Sequence, residues 1–353
     1  TGVATLSPQF MIAKLLWFAR HEAAIWARAA HVCLLGDYLT FRLTGKHVTE
    51  AGAAGLTGLI DIHRLCWREH LLDTLYMNRL HRADVRRAGT DLGAILPEAA
   101  EALGLPACRV VLGCLDQYAG ALGCQVVEPD DICETTGTVL ATVRCADGFD
   151  AEGRERGVFQ GPGFAEGRYF RMRFGDTSAN LLEAYLAELE DAPGFDALNA
   201  LAAAAPPGAL GLRVAGIDRR HGRVVFRDGP PVRDRGLEVR AIFETVAEAL
   251  RDQVACLCHS PPSEIRSAGG AARSDVWLQI KADVLGWTVT AAASREPACA
   301  GAAALAAAAP LNRAIADVAR DWFKPGRTFR PTARPPAPSD SRAPASISSR
   351  DGI

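Results

Sequence analysis

Residues 264–292 read EIRSAGGAARSDVWLQIKADVLGWTVTAA, and this stretch decides the fold class. It divides into a strand at 264–268, a Gly-Gly turn, a helix at 274–285 and a strand at 287–292, with an Ala-rich helix from 298. That strand–turn–helix–strand–helix order is an α/β layer. Upstream, Val239, Ile242, Val246, Leu250, Val254 and Leu257 form one apolar stripe, which predicts a helix over 238–258. A further helix fits 177–190, and 146–172 reads as loop with short strands. Ile132–Glu134 and Val139–Arg144 read as strands joined by a tight hairpin at Thr135-Thr136-Gly137-Thr138. Arg109–Gly113 reads as a buried strand, followed by a helix over Gln117–Gly123.

The first hundred residues are less regular. Met11, Leu15, Phe18 and Ile25 recur at helical spacing beside Trp17 and Trp26, which predicts one long helix over 8–32. A short helix at Asp37–Leu43 ends at Gly45, a C-cap residue. Residues 48–65 read as loop and short strand, and 66–77 and 96–103 as helices. From Pro331 the chain turns to Pro, Ser, Ala and Arg without periodicity, which predicts a disordered tail over 331–353.

Of the 353 residues, 49% are hydrophobic and 23% charged, as in an ordinary globular protein. A net charge of -2 supplies no global positive field for nucleic acid or an anionic membrane. Lys appears only at positions 14, 46, 281 and 324, every other cation being Arg. The apolar runs are too short to span a bilayer, and no signal-peptide pattern opens the chain. The ten cysteines form no C-x-x-C pair and mostly lie in apolar runs, which predicts reduced, mostly buried thiols in the cytoplasm. Cys256-Leu257-Cys258-His259 is the one local cluster, and a helix end explains it better than a metal.

The phosphate loop G-x-x-x-x-G-K-[ST], the dinucleotide G-x-G-x-x-G, H-E-x-x-H and G-x-S-x-G are all missing. Three stretches remain. Asp116 follows a strand and opens a helix, a place where α/β sheets bind ligands. It reads either as a general base for an alcohol or as a plain helix cap, and spacing alone favours the cap. Glu134-Thr135-Thr136-Gly137-Thr138 would let backbone amides and a Thr hydroxyl approach a phosphate, but taken alone it is an ordinary turn. Ala268-Gly269-Gly270-Ala271 suits a flat ligand lying on the backbone, or equally close strand–helix packing.

The order of the three resembles the FGGY family of carbohydrate kinases, within the actin-like ATPase superfamily. Lys14-Leu15-Leu16-Trp17, Asp37-Tyr38-Leu39 with Arg42-Leu43-Thr44-Gly45, Thr57-Gly58-Leu59 with Asp61, Arg240-Ala241-Ile242-Phe243-Glu244 and Ala282-Asp283-Val284-Leu285-Gly286 extend the resemblance over about 7–330. It implies an actin-like, ribonuclease H-like α/β fold. Residues 1–127 would belong to the first, sugar-binding domain, here incomplete, and 128–330 to the second, nucleotide-binding domain. It implies ATP-dependent phosphorylation of a pentulose, hexulose or polyol with Mg²⁺. By position, Asp116 would be the catalytic base and Gln117 a sugar contact. Thr136, Gly137 and Thr138 would meet the nucleotide phosphates. Gly269, Gly270 and Ser274 would line the nucleotide site, with no protein metal ligand assigned. Gln117 and Tyr118 are compatible with several sugars.

The resemblance departs at the start, where family members carry a strand and a D-x-G-[ST] hairpin. The Lys14 helix lies too early for one, so the chain reads as an N-terminally truncated member whose own activity is in question. Residues 205–237 also match the family poorly. An incomplete first domain predicts an exposed sheet edge and self-association. A non-catalytic actin-like nucleotide-binding or regulatory protein is the alternative. Lys14, Trp17 and Asp116-Gln117 argue against an acetate- or glucokinase-type enzyme.

Overall fold

The computed structural model describes residues 1–191, 193–218 and 220–332. The chain opens with α1 (Met11–His21), α2 (Ala23–Arg28), β1 (His31–Val32), α3 (Leu35–Thr44), β2 (Val48–Glu50) and α4 (Ala51–Gly55). There follow β3 (Ile60–Asp61), β4 (Cys66–Trp67), α5 (Glu69–Thr74), β5 (His81–Arg82), β6 (Asp84–Arg86), β7 (Asp91–Ala94), α6 (Pro97–Leu103), β8 (Arg109–Val111) and α7 (Asp116–Gly123). The strands of this part join only in pairs: β1–β5, β2–β6, β3–β4 and β7–β8.

The second part holds the large sheet. Its elements are β9 (Ile132–Thr136), β10 (Leu140–Asp147), β11 (Phe159–Pro162), β12 (Arg168–Gly175), α8 (Asn180–Ala187), α9 (Phe195–Ala204), β13 (Arg213–Asp218), β14 (Arg223–Arg227) and α10 (Arg235–Leu257). Then come β15 (Glu264–Ala268), α11 (Asp275–Leu285), β16 (Thr288–Ala292), α12 (Pro297–Ala308), α13 (Ile315–Trp322) and β17 (Pro325–Phe329). Seven strands lie in the order β11-β12-β10-β9-β15-β16-β17. The centre, β9–β15–β16, is parallel, and the flanking pairs are antiparallel.

Strand alternation sends side chains to two covered faces. Ile132, Ile265 and Val289 share a core with Leu250 and Val254 of α10 and Leu278 and Leu285 of α11. Cys133 and Ala268 point the other way, into a core with Tyr118 and Ala121 of α7. Helices on both faces of a mixed sheet realise the α/β layer read from residues 264–292. β13 and β14 pair as a separate two-stranded sheet over the core of α8, α9 and α10.

Several local expectations fail for physical reasons. The predicted helix over 8–32 is two helices broken at Glu22 (φ -123°, ψ 54°). On one straight helix Ile12 and Trp26 would stand about 21 Å apart along the axis. The break lets both reach one cluster around Leu59, Leu72 and Leu80. Residues 109–113 are no buried strand: β8 pairs only with β7, and Arg109 is exposed. The expected loop at 48–65 contains α4, and the expected helix at 66–77 shrinks to α5 behind β4. Nor are the cysteines mostly buried. Cys124, Cys133 and Cys145 are, but Cys33, Cys66, Cys108 and Cys299 are exposed. The first three of these exposed thiols lie on or beside the short paired strands β1, β4 and β8. Cys258 is the C-cap of α10. Residues 333–353 of the expected tail lie outside the described residues.

Candidate active site

Glu134 and Thr136 are two apart on β9 and so face the same way. Thr136 pairs with Leu140, leaving Gly137-Thr138-Val139 as a three-residue turn between β9 and β10. The Gly137 carbonyl accepts from Ser178 Oγ at 2.6 Å and from the Ala179 N–H at 3.0 Å, which anchors the turn to the start of α8. Thr138 is exposed, and its hydroxyl has no partner among the described residues. Thr136 is different: it is buried, its hydroxyl donating to Glu134 at 2.6 Å and accepting from Lys281 Nζ at 2.8 Å. Its side chain supports the turn and does not offer itself to a ligand.

The parallel register pairs Ala268 with Thr135, so β15 ends beside this turn. Gly269 has φ +85°, and a Cβ there would stand 2.7 Å from the Thr136 carbonyl oxygen. Only glycine fits this left-handed, close-packed position. Gly270 is exposed with open space around it. Ser274 is buried, its hydroxyl caps α11 through the Trp277 N–H and donates to Asn199 Oδ1, so no free donor remains. Two of the predicted stretches, Thr136–Thr138 and Gly269-Gly270, are therefore brought together at the carboxyl ends of parallel strands, where open α/β sheets bind ligands.

Asp116 is the first residue of α7, with Leu115 in the cap position, so the plain cap reading fails. It is exposed, and its Oδ1 accepts the Gln117 N–H at 2.7 Å. Cys124, the C-cap of α7, meets Cys133 at the start of β9, and Arg266 holds the Cys124 carbonyl at 3.2 Å. α7 thus lies against the sheet, its last residues at the start of β9. Tyr118 lies on the covered side of α7. It is buried against Phe170, with ring centroids 4.6 Å apart, and fills the space beside Gly52 and Gly161.

Sequence reasoning missed Glu50. Buried beneath the start of α7, it accepts the Gly52 and Ala53 N–H groups at 2.6 and 2.9 Å, with the Leu115 N–H also turned to it. Burial pushes its carboxyl up to about 7 despite these donors. A Glu just before the small residues Ala51–Gly55 was the available signal. The described residues hold no group of three or more His, Cys, Asp or Glu side chains able to take a metal. None of their helices is long and apolar enough to cross a membrane.

Family models match both parts of this architecture. The N-terminal domain of the FGGY family of carbohydrate kinases matches residues 1–123, and its C-terminal domain matches 137–310. The chain belongs to the FGGY family. Autoinducer-2 kinase of Escherichia coli (strain K12) is 28% identical over 343 residues, covering 91% of this chain and 65% of that protein. Xylulose kinase of the same strain is 29% identical over 296 residues, 80% of this chain and 60% of that protein. The chain thus spans less than two thirds of the length of these curated FGGY relatives. The structure of ligand-bound xylulose kinase from Lactobacillus acidophilus superposes with a TM-score of 0.83 at 22% identity, covering 92% of this chain and 68% of that one. The fold is accordingly the α/β actin-like ATPase fold of FGGY kinases.

Proposed function

We propose that this FGGY chain carries the machinery for transferring the γ-phosphoryl group of ATP to a hydroxyl of a small sugar: a pentulose, a hexulose or a polyol. The observation behind this reading is the junction of the Thr136-Gly137-Thr138 turn with Gly269-Gly270. There, the exposed backbone of Thr138, Val139 and Gly270 and the free Thr138 hydroxyl can receive phosphate oxygens. Residues 128–330 are assigned to nucleotide binding, and 1–127 to the sugar. Gln117 would help to hold the sugar, and Asp116 would take the proton of the attacking hydroxyl. Phosphoryl transfer asks mainly for positioning and charge stabilisation, which a base and a phosphate cradle provide. A magnesium ion accompanying the nucleotide would take its ligands chiefly from phosphate oxygens and water. The described side chains supply no cluster for it, and no step here runs through one.

The test is calorimetric titration of the folded chain with MgATP and MgADP, followed by a coupled assay over a sugar panel. Asp116→Asn should lower turnover by about a hundredfold or more while leaving nucleotide affinity nearly unchanged. Loss of nucleotide binding in a folded Asp116→Asn variant would show that the residue has another role. A second reading is nucleotide binding without turnover. It draws on the contrast between the seven-stranded sheet behind the turn and the isolated strand pairs around the Asp116 half. Micromolar MgADP binding with no turnover of any sugar would favour it.

A further inference from the structure

Glu134 of β9, Ser267 of β15 and Lys281 of α11 are completely buried, together with Thr136. Their surroundings are apolar: Ile132, Ile265, Leu278, Ala282 and Leu285 share that face of the sheet. Glu134 Oε1 accepts from both Ser267 Oγ and Lys281 Nζ. Its Oε2 accepts from Thr136 Oγ1, which in turn accepts from Lys281 Nζ. Carboxylate, ammonium and hydroxyl thus close a ring across two strands and a helix.

Such a pair is a poor way to stabilise a core. Removing two charges from water costs more than their attraction usually returns, and apolar replacements are often neutral or better. What the ring supplies is direction. It fixes the Thr136 side chain immediately before Gly137, and it ties Glu134 to its register partner Ser267 one residue before Ala268. The Thr136 carbonyl, against which Gly269 packs, is placed by the same strand end.

We propose that Glu134 and Lys281 are positioning residues: their ring holds the Gly137-Thr138 turn and the Gly269-Gly270 turn in the shape that receives phosphate. This rests on the nucleotide reading of those turns. The test compares wild type with the near-isosteric double variant Glu134→Gln/Lys281→Met. Three quantities are measured: melting temperature, amide hydrogen exchange at 137–139 and 269–270 without ligand, and MgADP affinity by calorimetry. The expected result is a melting temperature within a few degrees of wild type, with exchange at the two turns about tenfold or more faster. MgADP affinity should fall about tenfold or more. A folded double variant whose turns exchange as in wild type would overturn the proposal and leave the pair a purely structural one. Exchange is read without ligand, so it decides the matter whatever the nucleotide result. If wild type binds no MgADP, the nucleotide reading falls separately, and faster exchange still assigns the ring to the turns. Should the double variant not fold, Glu134→Gln alone carries the same readout, unchanged exchange again counting against the ring.

Discussion

At the residue scale, the chemistry of this chain turns on groups held where their surroundings oppose them. Glu50 is the clearest. Its carboxyl has an ordinary value near 4.5 and is pushed up to about 7 by burial. A raised acid keeps its proton longer when folded than when unfolded, so its contribution to stability is complete below about pH 4.5 and lost as pH rises through about 7. The full difference is roughly 3 kcal/mol. Glu50→Gln, which imitates the protonated acid, should flatten that decline. Melting temperatures at pH 5, 6, 7 and 8 check it, and a parallel decline in variant and wild type would count against Glu50. Gly269 is the second case. Gly269→Ala meets both a left-handed φ and the Thr136 carbonyl, and should cost about 2–3 kcal/mol in urea unfolding with weakened MgADP binding.

At the scale of elements, the site depends on how closely α7 and α12 approach. A Cβ on Gly301 would stand 1.9 Å from the Ala119 carbonyl oxygen, and one on Gly123 1.9 Å from that of Pro297. Backbone therefore rests on backbone, and this contact joins the helix carrying Asp116 to the part carrying the large sheet. Gly301→Ala should cost about 2–3 kcal/mol or more, because neither helix has a side chain that can yield. Urea denaturation measures this, and a loss below about 0.5 kcal/mol would mean that the helices separate freely. Elements of this kind were legible where periodicity was strong: the stripe from Val239 to Leu257 gave α10, and Gly269-Gly270 gave the turn after β15. They were not legible where strands of two or three residues pair only once, as from β1 to β6, since so few residues carry no alternation to read. The ring at Lys281 was legible in principle, as a charge on the apolar stripe of Trp277, Leu278 and Leu285. The bonds of the Ser274 hydroxyl and the burial of the Tyr118 ring were not legible, because only packing shows which side chains are already engaged.

Across the whole molecule the apolar surface is uneven. Trp17 is 49% exposed and Ile25 53%, while Leu35, Tyr38 and Leu39 form an open stripe along α3, with Leu35 at 77%. Stripes of this kind favour association. The chain should therefore show a mass that rises with concentration in light scattering, and Leu35→Glu with Leu39→Glu should lower it. A monodisperse, cooperatively melting monomer would contradict this expectation. The distribution of thiols follows the same unevenness. Four lie at the surface, while Cys124 and Cys133 face each other between α7 and β9, and the Cys133 thiol is held well above its usual range by Cys124 and by burial. An aromatic disulfide reagent attacks only accessible thiolate. It should consume the surface thiols at once and then wait for the others. The phase that belongs to Cys124 and Cys133 is a clock: it ticks each time the helix bearing Asp116 lifts off the sheet.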